Sequence, residues 1–159
     1  NRVSAATGLS VLELMRDANA RWMFGACMQE GIRVLRAAGS RPDRLAPMSP
    51  RVMSTFLRLP NFIVRPLLGF GSIDPEAVTS TLGDLRKGRR TEIRQLNGEI
   101  VSLGRSVDVP TPVNDVVTRA VQRHERALVD GSSPAFEHPA DLRARCEDER
   151  RLVASLAHY

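Results

Sequence analysis

Apolar residues in this 159-residue chain recur at steps of three and four, and no segment alternates with a step of two. That rhythm is the repeat of an amphipathic helix and excludes a half-buried sheet. The chain is therefore expected to be all-α, a set of several helices. At 42% hydrophobic residues it has the material for a real core. Its longest apolar runs are too short to cross a bilayer, so no membrane role is expected.

The first clear helix signal is Ser10-Val11-Leu12-Glu13, a capping box. One long helix is predicted from there to Ala38, stopping at Gly39. Leu12, Met15, Ala18, Trp22 and Ala26 form one apolar line along it, and Met23, Cys27 and Val34 form another. Glu30 interrupts the second line. An acid in such a stripe either pairs with an arginine, the commoner case, or faces a polar cleft. Arg41 to Pro50 reads as a linker. Arg51 to Leu59 reads as a short helix with Val52, Phe56 and Leu59 on one side. Pro60 to Gly71 is apolar and broken by proline, which predicts a buried short helix or turn. If exposed, it would be a contact for a homodimer. Thr111-Pro112 opens a further helix that ends before Gly131. A last helix, about Ala140 to His158, is expected to turn Leu142, Cys146, Leu152, Val153 and Leu156 to the core.

Between these lies the most informative stretch, Ser80 to Asn114. Asp74-Pro75-Glu76 is a helix start, and Val78, Leu82 and Leu85 follow as an apolar stripe. Ser80 points away from that stripe, with Asp84 and Lys87 on its side. Gly88 interrupts. Ile93, Leu96, Ile100, Leu103 and Val107 then mark a second stripe. Glu92 sits on its shoulder. There it is either a partly desolvated acid suited to proton handling near neutrality, or a first-turn glutamate paired with Arg89 or Arg90.

Charge and cysteine usage remove several function classes. The net charge is +5 and Lys87 is the only lysine. The arginines are scattered and aromatic residues are only 4%, so no nucleic-acid platform is expected. The run Arg86-Lys87-Gly88-Arg89-Arg90 reads as a solvated helix end. Cys27 and Cys146 lie far apart, without metal-ligand spacing or a disulfide framework, which suits a reducing, cytoplasmic setting. His124, His138 and His158 lack metal spacing on segments that read as polar. Gly69-Phe70-Gly71 is not a phosphate loop, because no strand precedes it.

Ser80, Asp84, Thr91-Glu92, Asn97-Gly98 and the run Val109-Pro110-Thr111-Pro112 with Asn114 keep one register without a gap. In that order and spacing they resemble the C-terminal domain of the ketopantoate reductase (2-dehydropantoate 2-reductase) family. The resemblance covers roughly Asn1 to Leu128. It implies one all-helical domain over residues 1–159, of the 6-phosphogluconate-dehydrogenase-like kind, with 131–159 as a terminal helix extension. An N-terminal Rossmann domain carrying NADPH is expected as its partner and is not in this chain. A 2-oxo acid would bind in the cleft between the two domains. By the resemblance, Glu92 is the catalytic acid/base, Ser80 holds the substrate carboxylate, and Asn1 takes the place of a substrate asparagine. The family's catalytic lysine falls just upstream of Asn1, outside the chain, and Asn97-Gly98 are helix-packing positions. Val11 stands where many members carry another asparagine, and Thr79 and Thr81 replace the usual neighbours of Ser80. The expected function is thus the C-terminal half of an NADPH-dependent 2-oxo acid reductase, first of all ketopantoate to pantoate, inactive by itself. A non-catalytic binding or dimerisation module of the same fold is the alternative, and a basic nucleic-acid-binding domain ranks below it.

Overall fold

The computed structural model describes residues 2–40, 49–67, 82–83, 93–132 and 136–156. Eight helices have their bounds among them, Leu82 and Gly83 are also helical, and no strand lies among them. The eight are α1 (Arg2–Thr7), α2 (Val11–Arg16), α3 (Ala18–Ala37), α4 (Pro50–Phe56), α5 (Asn61–Leu67), α6 (Ile93–Ser106), α7 (Pro112–Val129) and α8 (Pro139–Leu156). The all-α expectation holds. Most of the linker at 41–48, the helix start at Asp74, and Asp84, Lys87, Gly88 and Thr91 lie outside the described residues.

Helix α3 is the axis, and α1, α2, α4, α6, α7 and α8 all pack on it. Met23, Ala26 and Val34 of α3 are buried, as are Val113, Val117 and Val121 of α7 and Leu142 and Cys146 of α8. The expected capping box is present: Ser10 Oγ accepts from Glu13 N, and Glu13 Oε2 accepts from Ser10 N. The single long helix, however, is two. Asp17 is extended (φ −81°, ψ 120°), ends α2, and caps α3 by accepting from Ala20 N at 2.8 Å. A carboxylate that bonds the amide three residues on offers the backbone an alternative to helix, and here it breaks one.

Helix α3 does stop at Gly39, as expected. Gly39 is left-handed (φ 79°), and Ser40 N donates to Leu35 O while Gly39 N donates to Arg36 O. That double fold-back occupies the last free carbonyls. Helix α6 ends one residue earlier than the stripe suggested, with Val107 in the turn and Asp108 at φ 52°. Its fold-back bond, Val109 N to Gly104 O at 2.8 Å, explains Gly104: a Cβ there would stand 2.8 Å from Val109 O. Gly25 has a similar reason, since a Cβ would stand 2.6 Å from Ser54 O of α4. No described atom lies within 4 Å of a Cβ built on Gly98.

Three apolar faces differ from expectation. In the Arg51–Leu59 segment the buried residues are Ser54 and Leu57, while Val52 is exposed, because the face is set by contact with Gly25. In α5, Val64 is buried but Phe62 is 78% exposed. Helix α8 buries Leu142 and Cys146, yet Leu152 and Leu156 face outward. Leu82 is helical and fully buried, as its stripe implied. His124 does not lie on a polar surface; it is buried, edge-on to Phe136 with ring centroids 5.3 Å apart.

Two buried charges, Arg2 and Arg21, were not foreseen. Arg21 has no exposed surface, and its guanidinium donates to four oxygens. They are Met15 O (2.8 Å), Leu57 O (3.1 Å), Leu59 O (2.9 Å) and Asn61 Oδ1 (2.7 Å). The forked, planar donor set joins the C-terminal ends of α2 and α4 to the start of α5.

Candidate functional site

Pro112 carries no N–H, so the first turn of α7 presents the amides of Val113 and Asn114 as donors in need of acceptors. Thr111 holds the cap position, as its sequence suggested, but its side chain makes no cap bond. The acceptor comes from α3. Glu30 Oε1 accepts from Val113 N at 3.0 Å, and Oε2 accepts from Asn114 N at 2.9 Å and Asn114 Nδ2 at 2.8 Å. Asn114 Nδ2 also donates to Cys27 O at 3.2 Å. Glu30 is 2% exposed, with its charge at the positive end of the α7 dipole. Burial raises its pKa, and the bonds from Asn114 and Val113 oppose that rise. The expected arginine ion pair is absent among the described residues, and the carboxylate faces a helix end.

Glu30 also borders a hollow of about 350 Å³ between α3 and α4. Arg33, Arg36, Arg51 and Arg150 line it, with Ser54 and Thr55 of α4. The sequence reading passed over this convergence. The available signal was Arg33 and Arg36, three apart on one helix and therefore neighbours on its surface. A more open hollow of about 430 Å³ lies beside residues 109–112, where Arg105, Asp108, Asp115 and Glu149 carry charge of both signs.

The three residues singled out for catalysis and binding, Asn1, Ser80 and Glu92, lie outside the described residues. What the structure gives is their described neighbours in sequence. Arg2 is buried and donates to Thr118 Oγ1 at 2.7 Å, which pins α1 to α7. Burial lowers the Arg2 pKa to about 10, against the pull of Glu125. Ile93, next after Glu92, is the first residue of α6.

Other chemistries find no support among the described residues. No group of His, Cys, Asp and Glu could hold a metal ion. Both cysteines are free thiols; burial pushes Cys146 up to about 12 and Cys27 well above its usual value, so neither is a ready nucleophile. The left-handed glycines Gly8, Gly39 and Gly131 each follow a helix end, and Gly8 also lies three residues before the start of α2. No helix is long and apolar enough to cross a membrane among the described residues.

Comparison with known proteins agrees with the sequence pattern. The family model described as the ketopantoate reductase PanE/ApbA C-terminal domain matches residues 1–125. A protein of Mesorhizobium japonicum named 2-dehydropantoate 2-reductase is 31% identical over 123 residues, which is 77% of this chain and 32% of that protein. One of the same name from Aquifex aeolicus is 46% identical over 50 residues, 31% of this chain and 16% of that protein. The chain thus spans about a third of the Mesorhizobium relative's length. No solved structure matches it. The glutamate of α3, the Thr-Pro-Val-Asn run it clamps and the motif-bearing stretch between them all fall inside the matched residues, and the chain belongs to the ketopantoate reductase C-terminal family.

Proposed function

We propose that this chain is the substrate-binding half of an NADPH-dependent 2-oxo acid reductase, with ketopantoate as its first candidate substrate. The observation that carries the reading is the family match over residues 1–125, which includes the whole Ser80–Asn114 motif. The dinucleotide and the catalytic lysine are assigned to a separate Rossmann domain of the same protein, as the match to a C-terminal family domain implies. Residues 1–159 form one domain, with 131–159 as its terminal extension, and by itself it does not turn over. The other partners are the 2-oxo acid and a second copy of the protein, met through the exposed Phe62. A cytoplasmic setting accords with two free, unreactive thiols.

Within that reading the residues of this chain divide the work on the substrate. Glu92 holds the proton that the nascent hydroxyl oxygen takes up, which asks for a carboxyl titrating near neutrality. Ser80 donates to the substrate carboxylate and Asn1 to its polar edge, fixing the carbonyl carbon in place. In the complete protein, Glu92→Ala should lower kcat about a hundredfold or more, the usual scale of a lost general acid. Ser80→Ala should chiefly raise KM. Wild-type kinetics in both variants would remove the assignment.

A further inference from the structure

Most arginines of α7 and α8 have carboxylate partners. Arg119 meets Asp115 at 3.0 Å and Glu149 at 3.6 Å, Arg123 meets Glu137 at 2.6 Å, and Arg143 meets Glu147 at 2.9 Å. Arg145 also pairs with Glu137. The four arginines around the α3–α4 hollow differ. Among the described residues, Arg33, Arg36, Arg51 and Arg150 have no carboxylate within ion-pair distance. The one acid in the wall, Glu30, has both oxygens committed to the α7 amides and does not bond to them.

Further guanidinium groups lie behind the hollow, of which Arg143 is already paired with Glu147. Arg58, Arg143 and Arg150 crowd the ring of Trp22, with guanidinium carbons 5.4, 4.8 and 5.4 Å from its centroid. Arg58 donates to Gln29 Oε1 at 2.5 Å, and its buried Nε has no hydrogen-bond partner among the described residues. Stacking on the indole holds Arg150 at the rim of the hollow, where like charges press on it.

The remaining polar groups of the wall select a ligand class. The hydroxyls of Ser54 and Thr55 both donate to Arg51 O, at 2.9 and 3.0 Å, so their hydrogens are taken. The free donors of the hollow are therefore guanidinium N–H groups and the amide N–H₂ of Gln29, whose Oε1 is taken by Arg58. They suit a ligand that only accepts, carries more than one negative charge and has several oxygens for forked pairing. A hollow of about 350 Å³ is larger than a bare anion requires and lies within the range of small-molecule sites.

We propose that this hollow is a second anion site, and that it binds a small phosphorylated compound, either an organic phosphate or pyrophosphate. It does not rest on the reductase reading, and its test reads binding, not turnover. The complete protein carrying this chain is titrated with pyrophosphate at fixed ionic strength, by calorimetry and by thermal shift. Malonate serves as a non-phosphorylated dianion. Saturable binding is expected, with malonate at least tenfold weaker. The double variant Arg33→Ala/Arg51→Ala should lose at least tenfold in affinity, and Arg119→Ala, whose side chain is already paired, should bind as the parent does. Should the alanine pair fail to fold, Arg36→Lys/Arg51→Lys decides, since it keeps charge and removes the forks; its affinity should fall several-fold. Equal binding of malonate, a shift that only follows ionic strength, or parental affinity in the variant that folds overturns the proposal. That last outcome would place the anion elsewhere in the complete protein.

Discussion

Arg21 and Glu30 are two buried charges on one helix, and they serve opposite kinds of helix end. Arg21 gathers carbonyls from the ends of α2 and α4, where the aligned peptide dipoles are negative. Glu30 gathers amides at the start of α7, where they are positive. Neither relies on an ion pair among the described residues. Each charge is instead distributed over hydrogen bonds to backbone groups that burial would otherwise leave unsatisfied. The difference lies in reach. Arg21 spreads over three carbonyls and one side chain, whereas Glu30 closes on two consecutive residues. Arg21 thus locks the packing of several short helices, and Glu30 fixes the register of one long helix against α3.

The largest expected effect comes from breaking the Arg21 side of that comparison. Arg21→Ala removes a filled volume and strands three carbonyls, for a loss of about 3–5 kcal/mol. Its urea midpoint should fall further than that of any exposed arginine variant. Glu30→Gln is milder, because an amide keeps the volume but turns an NH₂ toward N–H donors. About 1–3 kcal/mol is expected, the scale of buried donors left without acceptors. The two sites are roughly 14 Å apart along the helix, so the double variant should be additive within about 0.5 kcal/mol. Glu30→Gln with Asn114→Ala should not be, since those residues share bonds. Additivity in the second pair, or coupling in the first, would show that the two charges are not separate devices.

Local devices could be read from the chain, and distant ones could not. The Ser10–Glu13 box and the Gly39 stop depend on residues three to five apart, and both are present as expected. Pro112 correctly marked the start of α7, yet nothing nearby says that its acceptor lies 83 residues earlier in α3. The Glu30 alternatives considered an arginine and a cleft but not a helix end, because two of the three donors are backbone amides and have no sequence signature. Asp17 was read through for a related reason: as a lone residue it fits a helix, and only its bond to Ala20 N shows the break. Leu152 and Leu156 keep helical spacing but are 55% and 68% exposed. Periodicity reports a face and not whether anything covers it. For the proposed site the balance is reversed. Asn1, Ser80 and Glu92 are legible as a motif, and their placement lies outside the described residues.

The smallest effect is a pH slope, and it tests which force dominates at Glu30. Burial raises its pKa above the usual 4.5, and the bonds from Asn114 and Val113, with Arg33 nearby, pull the other way without cancelling it. The folded protein therefore holds this proton more tightly than the unfolded chain does. A raised folded value means that the contribution to stability is fully present below about pH 4.5 and is lost as pH rises through the folded pKa. Urea unfolding of the parent and of Glu30→Gln across the acid-to-neutral range isolates that contribution, because other groups titrate alike in both. The parent's advantage should shrink as pH rises. If it grows instead, the three N–H bonds outweigh burial, and Glu30 stabilises the fold as an anion. Arg21 offers no counterpart to this slope: burial lowers its pKa, but a guanidinium keeps its proton throughout that range. Of the two buried charges, only the one that closes on α7 can be switched by acid.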